Sequence, residues 1–516
     1  MKRLFLVLFC IMLLTTGVYY YGTKYHSQYD VSSVPLNSPF GVTVRDENSC
    51  ALCKVVSAGI SWVRASVSWS SHEKVQGQIH LEDLDSYFGG FTSLGLKPVV
   101  FVAENPTWAA TSVCGPIDKV GLSTYATFLG KLAERYDGDG DYDGDGTIDG
   151  LNLPKVDYWQ LYNEPDNRWT SGVASTYGGC WGNYPTQFAQ LLALSWQFVH
   201  MANADAKIVF GVAGEEIACP SDWGCSGNIF NFNISGGDFV DGVLSYIQSH
   251  PGNYFDIFDF HYYQFAHSVW DQFGAGIAGK AQFYLWRMQA KGLEYPLMCT
   301  ETGLRSDPGS VIDGKVGSDE NQSSYLVKTY LRGMVARVSP ILWFTLSDLV
   351  IESEGGFAAW GLLDINGVPK LSYNVYKILT GMTNGMTGIQ RLQLASDQEG
   401  YRVVFSTSIL DVVWGSGNYI FTSSSAIITS RDGSSSIVVA DSQGKVTVKL
   451  TDAPQYIRPS TLLVTPTPET IPTVTPTPLM PTATPTAIPT VTPIPNVSYA
   501  QGVNCGGQAY WDTSGR

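Results

Sequence analysis

Tyr158-Trp159-Gln160-Leu161-Tyr162-Asn163-Glu164-Pro165 is an apolar, aromatic run that closes on a carboxylate. Met298-Cys299-Thr300-Glu301-Thr302-Gly303 repeats that plan far downstream. A short apolar run ending in a polar residue reads as a buried strand that delivers one side chain to a rim. Outward from these two stretches the same texture recurs. Strand-like runs fall at Phe40–Val44, Trp62–Trp69, Pro98–Ala103, Val156–Tyr162, Lys207–Val212, Phe255–Tyr263, Pro296–Thr300 and Pro340–Leu346. Between them, Ser123–Tyr136, Pro185–Ala204, Phe239–His250 and Gln322–Val338 space their apolar residues by three and four, as amphipathic helices do. Eight strand–helix repeats predict an α/β fold, a (β/α)8 TIM barrel over residues 40–385, with chemistry at the C-terminal ends of its strands. A doubly wound open sheet is the alternative, but no Gly-rich phosphate loop follows an early strand. Period-two alternation places Tyr162 with Glu164, and Cys299 with Glu301, on common strand faces.

From residue 386 to 460 the texture changes. Tyr401–Ser406, Ser425–Thr429, Ser436–Ala440 and Lys445–Leu450 alternate apolar and polar residues between turn signals, which predicts a small antiparallel, sandwich-like β-domain. Residues 465–495 hold ten Pro and eleven Thr and should form an extended linker. Residues 496–516 are too few to fold and read as the start of a truncated module.

Residues 1–21 begin Met1-Lys2-Arg3 and continue without charge from Leu4 to Tyr21, the pattern of a signal sequence. Thr15-Thr16-Gly17-Val18-Tyr19 is a poor cleavage site, so an uncleaved N-terminal membrane anchor is the other reading. Residues 22–39 would be the first exported segment. Either way the chain should be extracytoplasmic, secreted or tethered. Cysteine usage agrees: Cys50, Cys53, Cys114, Cys180, Cys219 and Cys225 are an even set in loop-like surroundings. The expected pairs are Cys114–Cys180, Cys219–Cys225 and Cys50–Cys53, with Cys299 a buried thiol. A formal charge of −15 argues against nucleic acid or an anionic membrane surface as partner. Aromatic residues make up 13% of the chain, with 14 Trp and 28 Tyr, enough to suit a cleft that stacks on sugar rings.

Two carboxylates on one rim can cleave a glycosidic bond, one protonating the leaving oxygen while the other attacks the sugar carbon or activates a water. At Glu164 and Glu301 the chain resembles the clan A glycoside hydrolases, of the family 39 and family 5 type. The resemblance is carried by Trp159-x-x-x-Asn163-Glu164-Pro165, the Glu closing a seventh strand, Gly59-x-x-Trp62-x-Arg64, Asn105-Pro106-x-Trp108, His261-x-Tyr263, Trp343, and Gly361-Leu362-Leu363-Asp364 with Pro369-Lys370. It implies that Glu164 is the general acid/base and Glu301 the nucleophile. Asn163 would bind the sugar 2-hydroxyl, and Arg64 would sit beside Glu301 and favour its ionised form. Tyr263 would hydrogen-bond Glu301, His261 and Trp108 would line the cleft, and Trp343 would floor the subsite of the cleaved sugar. Glu104, Glu215 and Glu216 lie at strand ends too but lack the flanking motif. Asn504-Cys505-Gly506-Gly507 through Asp512 resembles the opening of malectin-like carbohydrate-binding modules.

The expected function is a retaining glycoside hydrolase that cleaves β-glycosidic bonds of plant or microbial polysaccharides or oligosaccharides by double displacement. A non-catalytic carbohydrate-binding barrel and a transglycosylase are the alternatives, and the oligomeric state stays open. No cofactor is expected for catalysis. A structural calcium is expected at Asp141, Asp143, Asp145, Thr147 and Asp149, where oxygen donors and Gly146 follow the calcium-loop pattern. Asn152 replaces the bidentate Glu at the twelfth position.

Overall fold

The computed structural model describes residues 38–45, 49–148, 153–166, 180–213, 239–263, 270, 273–308, 311–312, 315–351 and 356–460. Eight parallel strands close a barrel: β1 (Phe40–Thr43), β2 (Trp62–Ser68), β3 (Lys97–Ala103), β4 (Tyr158–Leu161), β5 (Lys207–Val212), β6 (Ile257–Tyr262), β7 (Leu297–Thr302) and β8 (Val338–Trp343). Each pairs with its chain neighbours, and β8 pairs back with β1. The connecting helices are α1 (Ser49–Ser57), α2 (Glu82–Thr92), α3 (Ser123–Arg135), α4 (Pro185–Ala202), α5 (Phe239–Ser249), α6 (Ile277–Ala290), α7 (Asp319–Val335) and α8 (Leu371–Thr383).

Short β-branched runs such as Lys207-Ile-Val-Phe-Gly-Val212 form strands buried on both faces, as a helix-wrapped parallel sheet requires. At the N-terminal end of the barrel, Trp62, Val99, Val209 and Met298 make a separate apolar plug inside it, with Tyr158 and Ile257 against them. Gly41 faces inward. A Cβ there would lie 2.5 Å from Leu342 Cγ, so only glycine lets β8 close on β1. At α4, Pro185 opens the first turn, where its missing N–H costs nothing. Helix α7 starts three residues earlier than its apolar spacing predicts. Ser318 caps it, its hydroxyl accepting from Asn321 N at 3.1 Å.

The Cys114–Cys180 disulfide is present, with Cα atoms 4.8 Å apart, and ties the loop after β3 to the segment preceding α4. Cys219 and Cys225 lie outside the described residues. So does the side chain of Cys50, which shares the first turns of α1 with Cys53. Residues 1–37 and 461–516, which contain the expected signal, linker and module start, are likewise outside them. Among the described residues, no helix is long and apolar enough to cross a membrane.

After α8 come β9 (Gly388–Arg391), β10 (Gln398–Val404), β11 (Ile409–Gly415), β12 (Asn418–Thr422), β13 (Ser425–Ser430), β14 (Ser435–Val439), β15 (Lys445–Lys449) and β16 (Gln455–Pro459). They build a six-stranded sheet in the order β9-β10-β11-β16-β13-β14, and β12 pairs separately with β15. Tyr419, Phe421, Val446 and Val448 from that pair share a small core with Val413, Ala426 and Ile457 of the larger sheet. The other face joins the barrel. Tyr401, Val403, Val412 and Trp414 belong to the same apolar cluster as the barrel helices, and Arg332 of α7 donates to Glu399 at 2.8 and 2.6 Å.

Candidate active site

Four strands deliver polar side chains to one place. Arg64 points inward from β2 and is 1% exposed. Its guanidinium lies over the Phe101 ring at 4.4 Å and donates to Gln160 Oε1 from Nε and Nη2, both at 3.1 Å. Nη2 also donates to Asn163 Oδ1 at 2.7 Å, and Nη1 donates to Glu301 Oε1. The second oxygen of Glu301 accepts from Tyr263 OH at 2.9 Å. Two charge-assisted donors thus fix both oxygens of one carboxylate.

Glu164 approaches from the end of β4. His261 Nδ1 stands 2.8 Å from Glu164 Oε1 and 3.4 Å from Glu301 Oε2. One oxygen of each carboxylate and a ring nitrogen of His261 all lie within 4.8 Å of one another. Burial pushes His261 down to about 4, against the pull of Glu301, so its ring is neutral at physiological pH. Glu301 is nearly buried, whereas the side chain of Glu164 is about a quarter exposed.

How β4 and β7 aim these groups differs from simple alternation, and two expectations are corrected. Tyr162 does not share a face with Glu164. The strand ends at Leu161, and Tyr162 and Glu164 both adopt positive φ, +58° and +47°. Non-glycine residues rarely occupy that region, and it clusters at functional sites. Tyr162 therefore turns outward, stacked on Tyr125 at 5.2 Å and edge-on to Trp181 at 5.6 Å, with its hydroxyl on Asn105 Oδ1 at 2.5 Å. Nor do Cys299 and Glu301 share a face. Asp259 pairs with Met298 but His261 pairs with Glu301, so β7 carries one extra residue, a β-bulge. The bulge turns Glu301 into the barrel mouth while Cys299 stays in the outer apolar core.

One expected cleft aromatic lies elsewhere. Trp343 is fully buried, edge-on to Tyr325 of α7 at 6.0 Å, because Leu342 takes the inward position on β8. Its indole N–H donates to the Trp360 carbonyl at 3.0 Å, so it anchors the following loop instead of flooring a subsite. Trp108 is half-buried, edge-on to Trp69 at 5.5 Å. Its single N–H donates to the Glu73 carbonyl at 2.9 Å, so it braces the turn after β2. Trp360 is a half-buried aromatic beside Tyr263, the donor to Glu301, with its ring 5.4 Å from that of Tyr263 and 6.0 Å from that of Phe344.

Sequence reading also missed Gln160, Asp259 and Thr300, which lie beneath the two Glu. Gln160 Nε2 donates to Asp259 Oδ2 at 3.2 Å. Gly211 makes room for that contact, since a Cβ there would lie 2.0 Å from Gln160 Nε2. A signal existed. Polar residues at 160 on β4, and at 259 and 261 on β6, interrupt otherwise apolar strands in the inward register.

At the opposite end of the barrel, between α3 and β4, the acidic loop brings one oxygen each from Asp141, Asp143 and Asp145 within 4.8 Å. Asp141 accepts from Gly144 N and Gly146 N at 2.9 and 2.7 Å, and Asp145 accepts from Thr147 N at 2.7 Å. Asp149 lies outside the described residues. Glu134 of α3 faces the same loop. Burial, and then Asp137, Asp139, Asp141 and Asp143, hold its carboxyl above the usual range.

No family model matches the chain, and no curated protein does. Solved structures of similar fold include a family 39 glycoside hydrolase from the gut symbiont Bacteroides cellulosilyticus WH2, at 16% identity and TM-score 0.60 over 83% of this chain and 82% of that one. A glucosidase from Croceicoccus marinus matches at 12% identity and TM-score 0.53, over 83% and 98%. The thermostable GH51 alpha-L-arabinofuranosidase from Thermotoga petrophila RKU-1 matches at 10% identity and TM-score 0.50, over 83% and 98%. At such identities the likeness is one of fold: a TIM barrel followed by a β-domain.

Proposed function

We propose that the protein is a retaining glycoside hydrolase acting on β-linked plant or microbial polysaccharides or oligosaccharides. One observation carries the reading. One oxygen of Glu164 lies within 4.8 Å of one oxygen of Glu301, and both oxygens of Glu301 are held, one by Arg64 and one by Tyr263. Retaining enzymes hold their carboxyl groups about 5–5.5 Å apart, whereas inverting ones need roughly 6.5–9.5 Å to seat a water. Glu301 attacks the anomeric carbon while Glu164 gives its proton to the leaving oxygen. Glu164 then takes a proton from water, which attacks the anomeric carbon from the face the leaving group vacated, opposite Glu301, and releases Glu301 as its carboxylate. Asn163 receives the 2-hydroxyl, and Trp360 with Tyr263 supplies an apolar wall. Proton NMR of the first-formed product from an aryl β-glycoside panel tests this. The β-anomer is expected, and an α-anomer would mean the mechanism is wrong.

The same proposal places the protein outside the cytoplasm, which the Cys114–Cys180 disulfide supports. It also gives the acidic loop a calcium ion, held by Asp141, Asp143 and Asp145 with Thr147 and Asp149. The crowding of carboxylates around Glu134 supports a divalent cation there. A ligand that binds only the folded state stabilises it by about 2.7 kcal/mol at a hundredfold excess over its Kd. Calcium should therefore raise Tm, and chelator should reverse the rise while kcat at assay temperature stays unchanged. An equal Tm with calcium and with chelator refutes the site.

A further inference from the structure

Asp259 is fully buried inside the barrel, on β6, two residues before His261. Three donors converge on it. Thr300 N, at the β7 bulge, donates to Oδ1 at 2.8 Å, while Thr300 Oγ1 at 2.6 Å and Gln160 Nε2 at 3.2 Å donate to Oδ2. A hydroxyl carries one proton. With that proton donated in a hydrogen bond to the Asp259 carboxylate, Thr300 Oγ1 can only accept from His261 Nε2, which lies 3.3 Å away. The neutral ring then holds its proton on Nε2 and presents a bare lone pair at Nδ1. That lone pair faces Glu164 Oε1 at 2.8 Å. Two acceptors do not attract, so the contact is a hydrogen bond when Glu164 carries the proton.

From this chain of donors we infer that Asp259 is a positioning residue for the acid step: through Thr300 and His261 it sets the tautomer that holds Glu164 in its proton-donating form. The inference rests on the acid role proposed above for Glu164. The same carboxylate reaches the other Glu as well, since Gln160 links it to Arg64 and Arg64 to Glu301. Among the described residues, the charged groups facing His261 are Glu164 from the end of β4, Glu301 from β7, Arg64 from β2, Asp259 from its own strand and Lys280 from α6. Lys280 Nζ donates to the His261 carbonyl at 2.6 Å. Reversing the relay would require the proton to sit on Asp259. Thr300 would then donate to Nε2, and Nδ1–H would donate to an ionised Glu164.

Nitrogen-15 NMR of histidine-labelled protein distinguishes the two arrangements without any substrate, with the His261 signals identified by their loss in His261→Gln. The Nε2–H tautomer is expected at neutral pH in the wild type, moving toward Nδ1–H in Asp259→Asn and Thr300→Val. Kinetics supply the second readout. In both variants kcat/KM should fall at least about tenfold for aryl glycosides with poor leaving groups, part of the 10²–10⁴ that acid catalysis contributes, and less than about threefold for those that need no proton. The high-pH limb of the profile should move to lower pH. Thr300→Val keeps the side-chain shape, so it tests the relay even if Asp259→Asn fails to fold. An Nδ1–H tautomer in the wild type, or equal losses across all leaving groups, overturns the inference. Because the tautomer is read without turnover, a failed relay and a failed glycosidase assay are separate results.

Discussion

Glu301→Gln should reduce turnover by on the order of 10⁴-fold or more, the scale on which losing a covalent nucleophile is felt. The amide keeps the volume of the carboxylate but cannot form the glycosyl ester. It also disturbs the site's donors. Arg64 and Tyr263 each donate to one oxygen of Glu301, and an amide offers one oxygen and one N–H2 group. One of the two donors then faces another donor, so a modest fall in Tm is expected with the circular dichroism spectrum unchanged. A 2-deoxy-2-fluoro glycoside with a good leaving group should label Glu301 in the wild type, because fluorine slows both steps while the good leaving group restores only the first. Mass spectrometry of the digested adduct identifies the carboxylate. A label elsewhere, or near-native kcat in Glu301→Gln, would overturn the nucleophile assignment.

Much of this site was legible in the sequence, and the parts that were not share a cause. Eight apolar runs separated by amphipathic stretches specify a barrel because both periodicities are local. Glu164 and Glu301 stood out because each ends such a run, and the structure brings them together with Arg64, Asn163, His261 and Tyr263. Alternation failed where the backbone leaves the strand. The positive φ of Tyr162 and the extra residue in β7 are set by packing across the barrel, and no local pattern announces them. The same holds for the tryptophans. On a perfect pleat the residues flanking Leu342 point away from the barrel axis, so Trp343 was bound to the helix layer once β8 took its register against Gly41. Trp360 reaches Tyr263 from a loop whose course depends on contacts distant in sequence, such as the bond from Gln322 Nε2 to the Ala359 carbonyl at 3.0 Å.

Glu164→Ala should separate substrates by their leaving groups. A phenol that departs readily as its anion needs no proton, so glycosylation of Glu301 by such a substrate should proceed near the wild-type rate. Poor leaving groups should lose about 10²–10⁴-fold, the range for general acid help. The second step suffers as well, because water loses its base, and the glycosyl-enzyme should accumulate as a burst of released phenol. Azide, a nucleophile that needs no deprotonation and fits the space of the missing carboxylate, should then restore turnover and yield the β-glycosyl azide. The fold should tolerate the change, since Glu164 is about a quarter exposed and Arg64 keeps its bonds to Gln160, Asn163 and Glu301. His261 is the local casualty. Its Nδ1 loses the partner at 2.8 Å, while Thr300 Oγ1 still accepts from Nε2 at 3.3 Å, so the proton stays on Nε2. The tautomer in Glu164→Ala should therefore stay as in the wild type, in contrast to Asp259→Asn and Thr300→Val, because the end of the relay that sets it is intact. Uniform losses across the leaving-group series, with no rescue by azide, would remove Glu164 from the acid/base role and leave the barrel without its proton donor.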